Sequence, residues 1–362
     1  MIINTRSPFI ITVNESVQIG SKIELFLSVG GTSVPSDPTY TLSKKSPSAS
    51  QLRTDYNISQ YIREFIETIS SFDSPETLFA NVKVKRYKET TADTYTLLTT
   101  EDYIGVNGYS LYSQGINAGD TGEKFYVLAN SNIQIQYNQD SSSSQWPQIN
   151  VAVDFTTNSS SKVVASYKDL NGRNEVVVNY NFDDYDQVTV LKIPIKTSSA
   201  KFENGNTVTL KYMPDGSTVE LQYTFTVKPI CESKYTPVIC QFINRFGGWQ
   251  YLTFFKAQSN SINASSTSYN LLPDSIDYNP KRPQSASFNI NGKQSIKLNT
   301  GWVPENYSEL IQDILLAETI LLDDTPVEIK TQSSEIKTSL KDKNINYEIE
   351  FEYAFNLINN VI

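Results

Sequence analysis

Short runs of alternating apolar and polar residues, separated by turn-forming residues, are the feature that most constrains the fold of this 362-residue chain. The clearest runs are INVAVDF, KVVASYKD, EVVVNYNF and VTVLKIPIK, and Asn171-Gly172 stands between two of them. A period of two places successive side chains on opposite faces of a strand, and Asn-Gly favours the tight turn of a β-hairpin. Short strands at regular spacing predict a sandwich or a barrel.

Aromatic content and a serine run extend this prediction to the whole chain. The 22 Tyr and 17 Phe suit strands, because aromatic rings fit the pleated surface. We predict a mainly β fold of two or three β-sandwich or barrel-like domains, with two short amphipathic helices packed on sheets. The serines at 141–144 bury nothing and indicate a flexible linker. The predicted divisions are a β-rich N-terminal domain with one helix (1–137), a Ser-rich linker (138–148), a sandwich-like middle domain (149–228) and a C-terminal β domain with one helix (229–362).

Two segments have helical periodicity instead. Apolar residues recur at spacings of three and four in 57–69 and in 306–318, which is the stripe of an amphipathic helix packed on a core. Asn57 with Gln60, and Asn306 with Glu309, are spaced as N-terminal capping boxes. A helical face for a partner is the alternative interpretation of each stripe. The first stripe comprises Ile58, Tyr61, Ile62, Phe65, Ile66 and Ile69; the second comprises Tyr307, Leu310, Ile311, Ile314 and Leu315.

The chain contains no histidine, which removes the most frequent general base and the most frequent metal ligand. Its two cysteines, Cys231 and Cys240, are separated as C-x8-C, whereas redox and zinc motifs use C-x-x-C. Nothing matches a phosphate-binding loop, a nucleophile elbow or a dinucleotide fingerprint. We therefore predict free cysteines, no catalytic residue, no metal site and no cofactor. Paired-carboxylate chemistry stays open, because its spacing is a three-dimensional property.

Charge disfavours general nucleic-acid binding. The net charge is -9 and the sequence pI is about 4.8, whereas nucleic-acid binders carry a basic patch. The main basic cluster, NVKVKRYK, alternates Lys83 and Lys85 with valines, so we interpret it as the wet face of a strand. No apolar run is long enough to span a membrane or to act as a signal peptide. We therefore expect synthesis in a reducing cytoplasm.

Two acidic patterns have both a chemical and a structural interpretation. Glu348, Glu350 and Glu352 alternate with apolar residues in NYEIEFEYAF, which describes either a row of cation ligands or the solvated face of one strand. Asp183, Asp184 and Asp186 resemble the start of a calcium loop, but the central Gly and the terminal Glu of that loop are missing. The structural interpretation is favoured in both cases.

A predicted hairpin concentrates aromatic side chains near its turn. VICQFIN and WQYLTFFK form its strands, and Arg245-Phe246-Gly247-Gly248 forms a turn that needs the positive φ of glycine. Such aromatics belong either to the core or to an interface hot spot. The residues predicted for an interface are Phe246, Trp249, Tyr251 and Trp302.

Three segments together resemble the ring and tail-hub structural proteins of crAss-like tailed bacteriophages. They are YTPVICQFINRFGGWQYLTFF, TGWVPENYSELIQDILL and NYEIEFEYAF, and the opening NTRSPFIITV is similar in style. The resemblance covers the C-terminal third best and includes no chemical signature. It implies a virion component whose copies form a ring around the portal-tail axis, with inner loops facing the DNA channel and outer strands joining neighbours.

The resulting expectation is a structural virion protein and not an enzyme, located in the tail or in the portal-tail connector. Its expected partners are copies of itself in a ring and neighbouring portal and tail proteins, with passive contact to DNA in the channel. The alternative is a carbohydrate-binding or receptor-binding tail protein that uses Tyr and Trp platforms. A carboxylate-dependent glycosidase is a third hypothesis.

Overall fold

The computed structural model confirms the predicted fold class: the chain is mainly β, and its described residues form several sheets and two short α-helices. The helices are α1 (Ser59–Ile69) and α2 (Tyr307–Leu315). Among the described residues, no helix is both long and apolar enough to cross a membrane. The structure describes residues 2–29, 34–69, 79–119, 122–140, 146–155, 159–182, 188–197, 200–230, 234–272, 276–277, 279, 281–331 and 344–359.

The strands are numbered in chain order. They are β1 (Ile2–Asn4), β2 (Ile10–Val13), β3 (Gly20–Val29), β4 (Tyr40–Lys45), β5 (Thr54–Asn57), β6 (Phe79–Thr91), β7 (Thr94–Val106), β8 (Phe125–Val127), β9 (Ile135–Asn138), β10 (Gln148–Asp154), β11 (Lys162–Asp169), β12 (Val176–Asn181), β13 (Val188–Pro194), β14 (Asn206–Met213), β15 (Leu221–Ile230), β16 (Val238–Ile243), β17 (Trp249–Phe254), β18 (Ser259–Asn270), β19 (Ser285–Pro304), β20 (Ile320–Leu322), β21 (Thr325–Ile329) and β22 (Asn344–Tyr353).

The chain divides into two compact units. The first unit comprises Met1–Cys231 together with Phe242–Tyr251. The second comprises Glu232–Gln241 together with Leu252–Ile362. The tip of the predicted aromatic hairpin therefore belongs to the first unit, although the chain on either side of the tip belongs to the second. The domain limits proposed from the sequence stay a prediction.

The first unit begins with a five-stranded sheet in the order β1-β7-β6-β3-β4. Its β6 and β7 form the antiparallel pair that the sequence predicts, with Val82 and Val84 buried and the intervening Lys83 partly exposed. Helix α1 packs on β3, β6 and β7 through its apolar stripe, in which Ile62 and Ile66 are buried. The helix begins at Ser59, whose backbone N–H donates to the side chain of Asn57.

A β-sandwich follows in the same unit. One sheet has the order β13-β10-β8 and the other has the order β12-β11-β14-β15-β9. Apolar side chains from both sheets form one core cluster, in which the rings of Phe125 and Tyr212 stack at 5.5 Å between centroids. Asn171 and Gly172 connect β11 to β12, and Gly172 has a φ of 75°. The predicted Asn-Gly hairpin is therefore confirmed.

A smaller apolar cluster joins this sandwich to the N-terminal sheet. Its buried members include Val106 from β7, Ala152 from β10 and Leu128, which follows β8. The half-buried ring of Phe246 packs against the same cluster. This cluster is the part of the first unit on which the hairpin tip rests.

A seven-stranded sheet has the order β17-β16-β20-β21-β22-β19-β18. Its strands belong to the second unit except for the parts of β16 and β17 nearest the hairpin turn, which fall within Phe242–Tyr251. Helix α2 buries the residues predicted for its stripe, namely Tyr307, Leu310, Ile311 and Ile314. The predicted cap of this helix is wrong. Asn306 has φ -63° and ψ -15°, so it already has helical geometry and its side chain makes no capping bond.

Several predictions fall on residues outside the described part of the chain. They concern Cys231, the serines at 141–144, and the acidic cluster of Asp183, Asp184 and Asp186. They stay predictions.

Candidate interaction surfaces

The acidic row of β22 is paired with lysines. Glu350 lies 3.0 Å from Lys330 of the segment after β21, and Glu352 lies 3.4 Å from Lys293 of β19. Glu348 pairs with Lys297, whose hydrogen bond holds the pKa of that carboxyl below its usual value. Within the described ranges no group of three or more metal-ligating side chains occurs. Each of the three glutamates pairs with a lysine, so the acidic row is the solvated outer face of the sheet.

Cys240 is a free thiol in the second unit and is fully buried. Burial disfavours the thiolate and raises the pKa of this thiol well above its usual value, and the nearby Asp323 acts in the same direction. A thiol in this state is a poor nucleophile. Cys240 therefore behaves as a small apolar core residue.

The hairpin tip is organised around the buried amide of Asn244. Its Nδ2 atom donates to the backbone oxygen of Leu128 at 2.9 Å and to Oε1 of Gln250 at 2.8 Å. Its Oδ1 atom accepts from the backbone N–H groups of Phe246 at 2.9 Å and Gly248 at 3.1 Å. One side chain thus holds the turn closed and ties it to the segment after β8.

The two glycines of the turn are needed for different reasons. Gly247 has a φ of 80°, and a Cβ atom there would lie 2.8 Å from Cβ of Val106. Gly248 does not have a positive φ, but its Cβ atom would lie 2.4 Å from the backbone oxygen of Leu128. The sequence prediction of a positive φ therefore applies to Gly247, whereas close backbone approach explains Gly248.

The four residues predicted for an interface differ in exposure. Trp249 is buried within its own chain at 8% exposure, and its backbone oxygen accepts from Nδ2 of Asn150. Phe246 and Tyr251 are half-buried. Trp302 is 72% exposed and presents most of its ring to solvent. The first three belong to the first unit and Trp302 to the second.

The most exposed regular structure is a two-stranded ribbon, which we call the arm: β18 with the first half of β19, residues 259–270 and 285–291. All twelve residues of β18 are exposed, from Ser259 to Asn270. The register of the two strands shifts between Ser265 and Thr267, which marks a β-bulge. A ribbon of this kind has little stability of its own in water.

Apolar side chains lie along this exposed arm. Ile262 is 68% exposed, Ile290 is 52%, Tyr269 is 49% and Phe288 is 43%. Asn260 pairs with Ile296, which is buried in the core. Ile262, two residues from Asn260, therefore continues the core-facing side of the sheet into solvent.

Tyr269 and Phe288 lie beyond the bulge and form an edge-to-face pair with 5.7 Å between ring centroids. Their contact fixes them on one face of the arm, next to the turn end of the ribbon. Large apolar groups thus occur along the length of the arm, and between 43% and 68% of each is exposed.

A cleft of about 390 Å³ lies in the first unit beside the hairpin tip. Arg245 is the one lining residue, among those that the structure describes, whose side chain carries a charge at neutral pH. The aromatic rings, amides and hydroxyls that line the cleft suit a polar ligand without a strong charge. They belong to Tyr109, Tyr126, Tyr223 and Phe246, and to Asn4, Ser110, Gln114, Asn130, Ser131 and Asn132.

Neither the arm nor the cleft was predicted from the sequence. SNSINASSTSYN looks like a polar loop, and its strand character comes from pairing with β19. A usable signal was available, because the segment lacks Gly, Pro and charge over twelve residues and contains Ile262 and Tyr269. The cleft brings together segments that are more than 200 residues apart, from Asn4 to Phe246, and local patterns do not report such proximity.

No protein-family model matches the chain, and no curated protein matches its sequence.

Proposed function

We propose that the chain is a structural protein of a tailed-phage virion that assembles with copies of itself as a ring or hub in the portal-tail region. The single observation that carries the proposal is the arm, because an assembly would bury its exposed apolar side chains against a neighbouring copy. The resemblance to ring and tail-hub proteins supplies the location. The acidic net charge of -9 is compatible with a channel that DNA passes without adhering.

The physical argument concerns what the arm lacks in a single copy. Ile262, Tyr269, Phe288 and Ile290 leave apolar surface in contact with water, and burying such surface is worth about 25 cal/mol per Å². An ordered ribbon that buries little of its own surface gains most of its stability from a neighbour. Large contiguous apolar patches on a surface mark interaction sites, and the arm places these four exposed apolar residues on one ribbon.

The test is the oligomeric state of the purified protein, by light scattering and electron microscopy. The wild type is expected to form a symmetric oligomer, and the double variant Ile262→Ser/Ile290→Ser is expected to be a monomer. The matched control is Leu97→Ser/Val219→Ser, which removes apolar side chains that are 50% and 41% exposed outside the arm. A wild type that stays monomeric at all concentrations and in the presence of the other tail proteins contradicts the proposal.

The cleft favours a second candidate function, the binding of a saccharide by a tail protein. Aromatic rings beside amides and hydroxyls match the mixed apolar and polar faces of a sugar ring. Saturation-transfer NMR with a panel of neutral and uronic-acid monosaccharides is the test. Binding that is lost in Asn132→Ala and kept in Asn179→Ala, an exposed asparagine outside the cleft, supports this function. Absence of transfer to every sugar removes it.

A further inference from the structure

The outer edge of β18 has the properties of a strand edge that can pair with a strand of another chain. In the seven-stranded sheet β18 lies at the end, and β19 is the one neighbour that it has among the described strands. It is twelve residues long and contains neither a charged residue nor a proline. Free edges present unpaired backbone groups, and soluble proteins protect them by charge, proline, bulges or short length.

Other edges of this molecule are protected in those ways. The edge strand β4 carries Lys44 and Lys45. The edge strand β13 carries Lys192 and Pro194. The edge strands β1, β8 and β9 have only three or four residues each. Among the described edge strands, β18 is the longest that lacks both charge and proline, although a β-bulge interrupts its pairing with β19.

A second unprotected edge occurs on β12, at the end of the five-stranded sheet of the sandwich. Its sequence, VVVNYN, also lacks charge and proline. Val176, Val178 and Tyr180 pack against the sandwich core, while Val177 is 50% exposed. β12 is thus a firmly held strand without charge at the end of the described sheet.

The remaining uncharged edge of comparable length, β17, is less suitable. Its first residue, Trp249, already uses its backbone oxygen to accept from Asn150. Four of its six residues are buried. The edge of β17 is therefore partly occupied within its own chain.

We infer that β18 of one copy pairs through its outer edge with β12 of a second copy, so that the arm extends the neighbour's sandwich sheet. The inference rests on the proposed function and names the contact by which copies join. Main-chain hydrogen bonds supply the attachment in this mode of recognition. A contact between two different surfaces repeats from copy to copy, and a repeat of this kind closes into a ring when the rotation allows.

The occupant is a second copy because one chain carries both edges that the contact needs, so each copy offers β18 to one neighbour and β12 to the other. The chain carries a net charge of -9, so two copies repel each other over most of their surfaces. β12 has six residues and β18 has twelve, so β12 can pair with half of β18, and both segments are uncharged, which makes that repulsion locally smallest. Val177 also offers an apolar neighbour to the side chains of the arm.

The experiment is hydrogen exchange measured by mass spectrometry on the full chain, as monomer and as oligomer. Peptides covering β18 and β12 are expected to gain protection together in the wild-type oligomer. Val177→Lys is expected to remove the protection of β18, although residue 177 lies on the other strand. The matched control Ser287→Lys places the same charge on an exposed residue of β19, away from the edge, and leaves the protection in place.

The outcomes separate the two proposals. If oligomers form and β18 gains protection without β12, or Val177→Lys leaves β18 protected, the inference is overturned and the assembly function stands. If Ser287→Lys dissociates the oligomer as effectively as Val177→Lys, the edge pairing is likewise overturned. If the wild type forms no oligomer, the proposed function fails and the inference fails with it.

Discussion

At the residue scale, position 248 requires glycine because the backbone of Leu128 lies too close for any side chain larger than a hydrogen atom. We expect Gly248→Ala to destabilise the protein by about 2–3 kcal/mol, because the added Cβ would lie 2.4 Å from a backbone oxygen that cannot rotate away. Chemical denaturation, followed by tryptophan fluorescence, measures the change. Gly172→Ala is the control, since its φ of 75° is strained but nothing lies within 4 Å of the new atom. Equal losses in the two variants would contradict the steric explanation.

Asn244 is the second residue on which the hairpin tip depends. Its buried amide makes four hydrogen bonds, and removal of the amide takes one hydrogen bond away from each of the four partner groups. We expect Asn244→Ala to cost about 2–4 kcal/mol of unfolding free energy. The exposed Asn179→Ala is expected to change the free energy by less than about 0.5 kcal/mol. If Asn244→Ala lowers the unfolding free energy as little as Asn179→Ala does, solvent replaces the lost hydrogen bonds.

Glu89 gives the N-terminal sheet a pH dependence of known sign. Its side chain is 1% exposed, and its carboxylate accepts from Nζ of Lys45 and from the backbone N–H of Asp93. The bond from Lys45 holds the pKa of Glu89 below its usual value. Because the folded pKa is depressed, the stabilisation is complete above the unfolded pKa of about 4.3 and is lost as pH falls through the folded pKa.

We therefore expect the thermal midpoint of the wild type to fall with pH below about 4.3, and Glu89→Gln to remove part of this fall. The variant should be less stable than the wild type near neutral pH and should approach it in acid. Glu220→Gln, which changes an exposed carboxylate, is the control. Parallel pH curves for the wild type and Glu89→Gln would contradict the assignment.

At the scale of elements, helix α2 depends on its apolar stripe more than on its end. Ile314 is fully buried, whereas Leu316, just after the helix, is 44% exposed. We expect Ile314→Ala to cost about 2–5 kcal/mol, through lost burial and the cavity left behind. Leu316→Ala is expected to cost less than about 1 kcal/mol. Thermal unfolding of both variants measures the difference, and similar losses would mean that the stripe is not the packed face.

Local patterns predict those elements whose partners are near in sequence. The pair β6–β7 and the hairpin at Asn171-Gly172 follow from alternation and turn chemistry, since both strands and the turn are contiguous. The capping box predicted for α2 is absent, because an Asn at that spacing is also compatible with the helical φ and ψ that Asn306 adopts. A cap depends on backbone angles that composition does not fix.

Long-range elements were beyond the sequence for a physical reason. The bond from Asn244 to Leu128 spans 116 positions, so no periodicity could place the hairpin tip on the segment after β8. The arm was missed because β18 becomes a strand only through its hydrogen bonds with β19. Its serine-rich sequence has no strong strand preference of its own. The fold class, in contrast, needs only the number and period of the strands.

At the scale of the whole molecule, charge and assembly make a joint prediction. The proposed contact joins uncharged edges on a chain with net charge -9, so long-range repulsion between copies opposes association and salt screens it. We expect self-association to strengthen as the salt concentration rises from about 0.02 M to about 0.5 M. Sedimentation velocity at fixed protein concentration measures the change.

The sign of this salt effect separates mechanisms that share an oligomeric outcome. A contact made by opposite charges, or one bridged by nucleic acid, weakens with salt because counterions compete for it. A contact made by backbone pairing and apolar burial does not lose that contribution when charges are screened. Association that weakens steeply with salt would therefore contradict edge pairing even if rings are seen. Strengthening in the wild type, together with its loss in Ile262→Ser/Ile290→Ser, would place the attraction on the arm and the repulsion on the remaining acidic surface.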